Sequence, residues 1–372
     1  MARLKASLII GLIFAAWMVC APLARAAEPA LRWTNLSSSV PTTTLDQTAS
    51  YPLLSFASSR GTEWLAGSPN QLFQVTSKGK IFDLTPDLKK FGFQKIRQVA
   101  SDGQSWLVIG DSSPWFSQPD LAFRYDGIYW KNVSPVMASL PPQEWVGQIV
   151  GKRGFWIIPT SRSLIVWQSS LKTIANIPLP PEIVQNQYQE MIFYPLRIGW
   201  LMDVKTSAGR CFYVFDGQNF KRADRSLGAI NQTTTLASNG AAILSLTALS
   251  PTISPLSKGE GGGGKPTIVA TYFDGQSSRR LDQHFISFVD NKRKEILFFP
   301  EAGMVWDGKS WLLKDYRKHL MLFNGRAPVS RLPDTRDTFI DSAYGASGLA
   351  LHVGYNKNSQ GDLVPRLVMT QE

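Results

Sequence analysis

The sequence predicts an all-β fold. Three observations lead there: apolar runs of only four to seven residues, their richness in Val, Ile, Phe, Trp and Tyr, and punctuation by Gly, Pro, Asn, Asp and Ser. Trp106-Leu107-Val108-Ile109, Phe155-Trp156-Ile157-Ile158 and the run from Thr267 to Phe273 are examples. Several such runs are unbroken, as expected of strands buried on both faces. Helical periodicity is almost absent.

Composition narrows the field. With 372 residues and 44% hydrophobic content, the chain is too apolar to be disordered and long enough for two domains or one large repeat fold. Three His and two Cys leave little material for a metal cluster, so neither metal nor cofactor is expected.

The amino terminus reads as a secretory leader. Arg3 and Lys5 precede an apolar stretch from Leu8 to Cys20, and Ala24-Arg25-Ala26 supplies the small residues that a signal peptidase requires. Cleavage is expected after Ala26, and the stretch is too short to span a membrane core, which needs about 20 residues. Residues 27–372 then form one exported domain, whether periplasmic, cell-surface or extracellular. Three basic residues and no acids leave with the leader, so the net charge falls from +11 to +8. Cys20 leaves too, and Cys211 reads as a small buried apolar residue rather than a nucleophile.

Two turn signals organise the rest. A glycine opens an apolar strand at Gly61, Gly103, Gly154, Gly199, Gly240, Gly308 and Gly348. An aromatic residue followed by Asp-Gly or Asn-Gly recurs at Tyr125-Asp126-Gly127, Phe215-Asp216-Gly217, Phe273-Asp274-Gly275 and Phe323-Asn324-Gly325. Such dipeptides favour two-residue hairpins, whose turns need positive φ. Lys78-Gly79 and Ser169-Ser170 fall where this second turn is due but lack its consensus.

The two signals hold a fixed phase. Six steps carry the opening glycine from 61 to 348, about 48 residues per step. The fifth repeat is long because it contains Ser254 to Pro266, a Gly-rich insertion that reads as a flexible loop. A four-stranded unit repeating every 40–50 residues or so is the signature of a β-propeller blade, and about seven blades are expected. The run from Ile296 to Trp311 can also be read as a compact blade, which leaves six or eight open.

The ends predict closure. Leu363 to Met369 reads as a third strand with no fourth after it, and Leu31-Arg32-Trp33-Thr34-Asn35-Leu36 resembles the fourth strand Tyr129-Trp130-Lys131-Asn132-Val133. Pairing the amino-terminal strand with the last blade removes two open edges. Trp33 is expected to bury its indole there, as Trp130 would in its own blade.

In period and turn the chain resembles the broad β-propeller superfamily of secreted bacterial proteins, with WD-repeat-like or kelch-like spacing. The likeness covers about 340 residues and rests on no diagnostic motif. Gly-His and Trp-Asp pairs are missing at their places, and Trp306-Asp307 stands alone. Ser101-Asp102-Gly103-Gln104-Ser105-Trp106 is similar to a shortened sialidase-type box and reads as turn chemistry.

Catalytic constellations are hard to find. Asp126, Asp216, Asp274 and Asp307 read as turn carboxylates on the rim rather than a hydrolytic pair. His284, His319 and His352 have no Ser or Cys partner at a recognisable spacing. Lys292-Arg293-Lys294 reads as a solvated turn. Asn35-Leu36-Ser37, Asn132-Val133-Ser134 and Asn231-Gln232-Thr233 match the glycosylation acceptor pattern, which is common by chance.

What remains is surface. Loops between second and third strands, with those between blades, are expected around one channel mouth. They would gather Trp115 and Phe116, Arg162, Tyr316, Arg317 and Lys318, and Tyr355 and Lys357 as a ligand face. The adjacent Trp115 and Phe116 in a Ser/Pro-rich loop are costly to expose, so they either plug the ring or meet a partner. The reading is an exported, non-catalytic binding or scaffold module for a protein or an anionic surface polymer. A propeller glycoside hydrolase or lyase acting on polysaccharide is the alternative. Nucleic acid, stable membrane insertion and self-association are not expected.

Overall fold

The computed structural model describes residues 32–45, 56–113, 119–135, 148–168, 173–186, 188–228, 234–249, 267–290, 295–296, 304–314, 320–325, 330–331, 339–344, 348–357, 359–360 and 363–371. Its first strand, β1 (Arg32–Asn35), stands apart from the sheets that follow it in the chain. The first blade holds β2 (Phe56–Arg60), β3 (Glu63–Ser68), β4 (Gln71–Val75) and β5 (Ile81–Asp83). The second holds β6 (Lys95–Ser101), β7 (Trp106–Asp111), β8 (Leu121–Tyr125) and β9 (Trp130–Asn132). The third holds β10 (Val150–Lys152), β11 (Phe155–Pro159), β12 (Ser163–Gln168) and β13 (Thr173–Pro178).

The fourth holds β14 (Tyr188–Pro195), β15 (Trp200–Thr206), β16 (Gly209–Phe215) and β17 (Phe220–Arg222). The fifth holds β18 (Thr234–Ser238), β19 (Ile243–Leu249), β20 (Thr267–Phe273) and β21 (Ser278–Arg280). A two-stranded hairpin, β22 (Val289–Asp290) with β23 (Glu295–Ile296), follows outside the four-stranded sheets. The sixth blade holds β24 (Met304–Trp306), β25 (Trp311–Lys314), β26 (Leu320–Phe323) and β27 (Ser330–Arg331). These six blades each use four consecutive strands. The last sheet joins β28 (Phe339–Tyr344), β29 (Leu349–Lys357) and β30 (Leu363–Gln371) to β1.

The result is an all-β propeller of antiparallel four-stranded blades, as the repeat predicts. Ile296 belongs to the small hairpin, so the run from Ile296 to Trp311 does not make a blade of its own. The first strands of the blades stand side by side around the axis, with β28 beside β2, β2 beside β6 and β18 beside β24. Apolar clusters fill the wedges between neighbouring sheets. Trp64, Trp106 and Trp156, one in each of the first three blades, are fully buried there.

The two turn signals take distinct places on one face. The seven opening glycines all turn the first strand into the second, with positive φ from 61° at Gly61 to 96° at Gly308. Gly127, Gly217, Gly275 and Gly325 turn the third strand into the fourth, and Gly79 does so at φ 74° without the consensus. Such backbone is strained for any residue with a Cβ. At Gly199 a Cβ would also lie 2.0 Å from the Phe215 carbonyl oxygen. Ser169-Ser170 lies outside the described residues.

Several of these turns are held by their own Asx side chain. Asp102 Oδ1 accepts from the Gln104 and Ser105 amides at 2.8 and 2.6 Å, and Asp307 Oδ1 from those of Lys309 and Ser310 at 2.8 and 2.7 Å. Asn239 repeats the arrangement at the fifth blade. The Ser101–Trp106 box is therefore turn chemistry. Asp307 departs from the expected rim position: it lies in an inner turn and is fully buried.

A second repeated device closes the outer end of five blades. An apolar residue follows the fourth strand and donates its amide to the third, as in Leu36 N to Leu367 O and Val133 N to Ala122 O, both 2.9 Å. The next side chain bonds the same strand. The hydroxyls of Ser37, Thr85 and Ser134 accept from the Leu367, Leu72 and Ala122 amides, and the carboxylates of Asp224 and Asp282 from those of Phe212 and Ala270. The tripeptides Asn35-Leu36-Ser37 and Asn132-Val133-Ser134 are two of these corners. Asn35 Oδ1 accepts from the Ser37 amide at 3.1 Å, and Asn132 Oδ1 from the Ser134 amide at 2.9 Å. Asn231 lies outside the described residues.

The ring closes through its ends. β1 pairs antiparallel with β30, setting Arg32 opposite Gln371 and Asn35 opposite Val368. Burial here differs from expectation. Trp33 and Trp130 are both half-buried, because an outermost strand keeps one edge in solvent. Leu36, 7% exposed, is the anchor instead, packed among Trp64, Leu351, Leu367 and Met369.

Candidate functional site: the channel cavity and the charged edges

The inner strands enclose a cavity of about 290 Å³. Its wall is drawn largely from their closing residues: Ser58 and Ser59 of β2, Ser101 of β6, Tyr194 and Pro195 of β14, Ser238 of β18 and Trp306 of β24. Among the described residues, no charged side chain lines it. Trp200, 5% exposed, adds an indole N–H that is buried without a hydrogen-bond partner among the described residues. The serines are partly spent on structure: Ser101 Oγ accepts from the Gly103 amide at 3.0 Å, and Ser238 Oγ from that of Gly240 at 2.8 Å. Chemically this is a neutral wall of hydroxyl, aromatic and aliphatic groups.

Charge is held outside its lining. Lys152 donates its ammonium to the carbonyls of Leu196, Arg197 and Gly199 in the next blade's turn. Burial, then the neighbouring Arg153 charge, holds Lys152 below the usual lysine range. Asp203, 2% exposed, accepts two bonds from Arg210, from Nε at 2.8 Å and Nη2 at 2.6 Å, while Arg210 Nη1 reaches the Thr234 carbonyl. Asp111, fully buried, is paired with Arg97 at 2.6 Å. Asp126, Asp216 and Asp274 each accept two turn amides, led by those of Tyr129, Asn219 and Ser277, which hold the carboxyls below the usual range. Cys211 is half-buried and donates to the Val204 carbonyl at 3.7 Å. Burial pushes its thiol up to about 11, away from thiolate chemistry.

The described members of the expected ligand face lie at the opposite strand ends. Arg162 is exposed in the turn between β11 and β12. Tyr355 and Lys357 close β29, opposite Pro365 and Leu363. Trp115, Phe116, Tyr316, Arg317 and Lys318 lie outside the described residues, as does the insertion 254–266. Sequence reasoning missed the cavity because its lining strands end in small polar residues such as Ser58-Ser59, which carry no ligand-site signal of their own. Among the described residues, no helix is long and apolar enough to cross a membrane.

Fold and cavity together define the class, a β-propeller with a neutral axial chamber. Solved structures agree on the propeller fold. The β-propeller domain of the trilobed protease from Pyrococcus furiosus, described as having an open velcro topology, aligns at TM-score 0.51 and 6% identity over 87% of this chain and 94% of its own. The RRP9 WD40 repeats align at 0.50 and 7% over 93% and 98%. Acylaminoacyl peptidase from Pyrococcus horikoshii aligns at 0.50 and 8%, with this chain spanning only 52% of its length. At such identities the likeness is one of fold alone. No protein-family description matches the chain, and no curated protein matches it.

Proposed function

We propose that this chain is an exported, non-catalytic binding ring that engages a protein or an anionic surface polymer. The observation that carries the reading is the use made of the carboxylates named above among the described residues. Polysaccharide cleavage needs carboxyl groups free to take and give protons across one bond. Here Asp102, Asp126, Asp216, Asp274 and Asp307 hold turn amides, while Asp203 and Asp111 hold arginines. A rigid ring with a neutral chamber is suited to holding a ligand rather than transforming it. The leader supports export, and cleavage after Ala26 would leave β1 whole.

The purified mature chain, mixed with candidate polymers, should retain one without generating new chain ends. Turnover by the purified chain would overturn the reading. Amino-terminal sequencing of the exported form should begin at Ala27, and an uncut or cytoplasmic chain would overturn the export part.

A further inference from the structure

The outer strands are not charged alike around the ring. Two positions precede the corner residue in every blade. In the fourth blade they are Lys221 and Arg222, in the fifth Arg279 and Arg280, and in the sixth Ser330 and Arg331. Strand register makes them equivalent: Arg222 stands opposite Tyr213, Arg280 opposite Thr271 and Arg331 opposite Met321, each two residues before the end of the third strand. Five of these six positions are cationic. In the other four blades the pairs are Phe82-Asp83, Lys131-Asn132, Ile177-Pro178 and Thr34-Asn35, with one cation and one acid in eight. Cations placed only to stop edge-to-edge pairing would be spread over all edges. These are gathered on three consecutive ones.

Among the described residues, the acids within this arc are committed. Asp224 binds Arg222 and the Phe212 amide, and Asp282 binds Arg280 and the Ala270 amide. Asp216 and Asp274 hold amides in their turns, and Glu182 of the preceding connector accepts from the Tyr213 hydroxyl at 2.7 Å. Lys221 and Arg279 are exposed, and no acid pairs with either among the described residues; Arg279 lies 5.5 Å from the Tyr272 ring centre. Arg225 is exposed on a short helical turn, Asp224–Leu227, that packs against β20 of the fifth blade and so bridges the two edges.

We propose that this arc, from the fourth to the sixth blade, is the docking surface for a linear acidic polysaccharide lying across successive outer strands. The proposal rests on the binding-ring reading above and names its surface and its ligand class. Guanidinium forks suit carboxylate and sulfate groups, and single exposed contacts are weak, so the binding has to be shared over several cations. A chain exported by its leader would meet such polymers rather than nucleic acid.

The test is titration of the mature protein with heparin and with polygalacturonate, with duplex DNA as a competitor. Lys221→Glu/Arg279→Glu should weaken polysaccharide binding by about tenfold or more, while Lys131→Glu on the second blade changes it by less than about twofold. An unchanged denaturation midpoint shows that the variant is folded, and Lys221→Gln/Arg279→Gln repeats the test without added negative charge. Equal losses for Lys131→Glu, no loss in either double variant, failure of the parent to bind either polysaccharide, or tighter binding to DNA would each overturn the arc. Cleavage of the polymer would instead overturn the non-catalytic reading, so the two failures are separable.

Discussion

The guanidinium carbon of Arg60 lies 4.6 Å from the centre of the Trp106 ring, one blade further on. Arg60 also donates to the Gln104 carbonyl at 3.3 Å, so a cation in one inner turn grips both the turn and the buried tryptophan of its neighbour. Lys152 makes the same reach, with its ammonium 5.9 Å from the Trp200 ring centre. These are latches between blades, and neither is visible as a motif.

Removing a latch should loosen one wedge without unfolding the ring. Lys152→Met strips a donor from three carbonyls and should cost about 1–3 kcal/mol, while Arg60→Ala, which removes one carbonyl bond and a ring contact, should cost about 1 kcal/mol. Equilibrium denaturation of each variant decides it. Two midpoints equal to the parent's would show that the latches are decorative.

The clasp should depend more on Leu36 than on Trp33. A buried leucine cut to alanine costs about 2–5 kcal/mol, whereas a half-buried tryptophan on an edge gives up less packing. Leu36→Ala is therefore expected to shift the denaturation midpoint further than Trp33→Ala, and deletion of 27–37 further than either. The reverse order would mean that the indole, and not the corner residue, fastens β1.

Corner hydroxyls should be replaceable in kind. Ser134→Ala leaves the Ala122 amide without its partner and should cost about 1–3 kcal/mol, but Ser134→Thr should be nearly neutral because Thr85 already fills the equivalent role. Thermal melts of the two variants give the comparison, and equal losses would point to packing rather than to the hydrogen bond.

Acid should weaken the outer turns. Free aspartate titrates near about 3.9, and the folded carboxyls of Asp126, Asp216 and Asp274 titrate lower. Their contribution is complete above about pH 4 and is lost as pH falls through the folded values. Asp126→Asn/Asp216→Asn/Asp274→Asn keeps neutral caps, so its stability between about pH 5 and pH 2 should fall less than the parent's. Parallel pH profiles would refute the assignment.

The insertion 254–266 should be removable. Leu249 pairs with Thr267, so the strands that flank it already stand side by side, and closing a longer loop costs only about 0.6 kcal/mol per doubling. The deletion should leave the melting temperature within a few degrees.

The blades were legible because each needs a positive-φ turn, and few residues besides glycine serve there cheaply. Gly61 to Gly348 therefore announced the period, and the unmatched strand Leu363 to Met369 announced the clasp. The corners escaped notice because Ser37, Thr85, Asp224 and Asp282 do one job with three side-chain types, and two corners look like glycosylation sites. The basic arc escaped because Arg222, Arg280 and Arg331 are separated by loops of unequal length, and equivalence emerges only from strand register.

The composite sheet also sets an order of events. Asn35 and Val368 are register partners 333 positions apart, so the strand made near the beginning of synthesis finds its neighbour only after nearly every other strand has been made. Until then β1 has no partner strand and Leu36 lacks the leucines and methionine of β29 and β30 that bury it. A chain broken off before β30 would carry six contiguous blades and still be an unclosed circle, exposed to rescue or destruction. Completion of the ring thus depends on synthesis reaching β30.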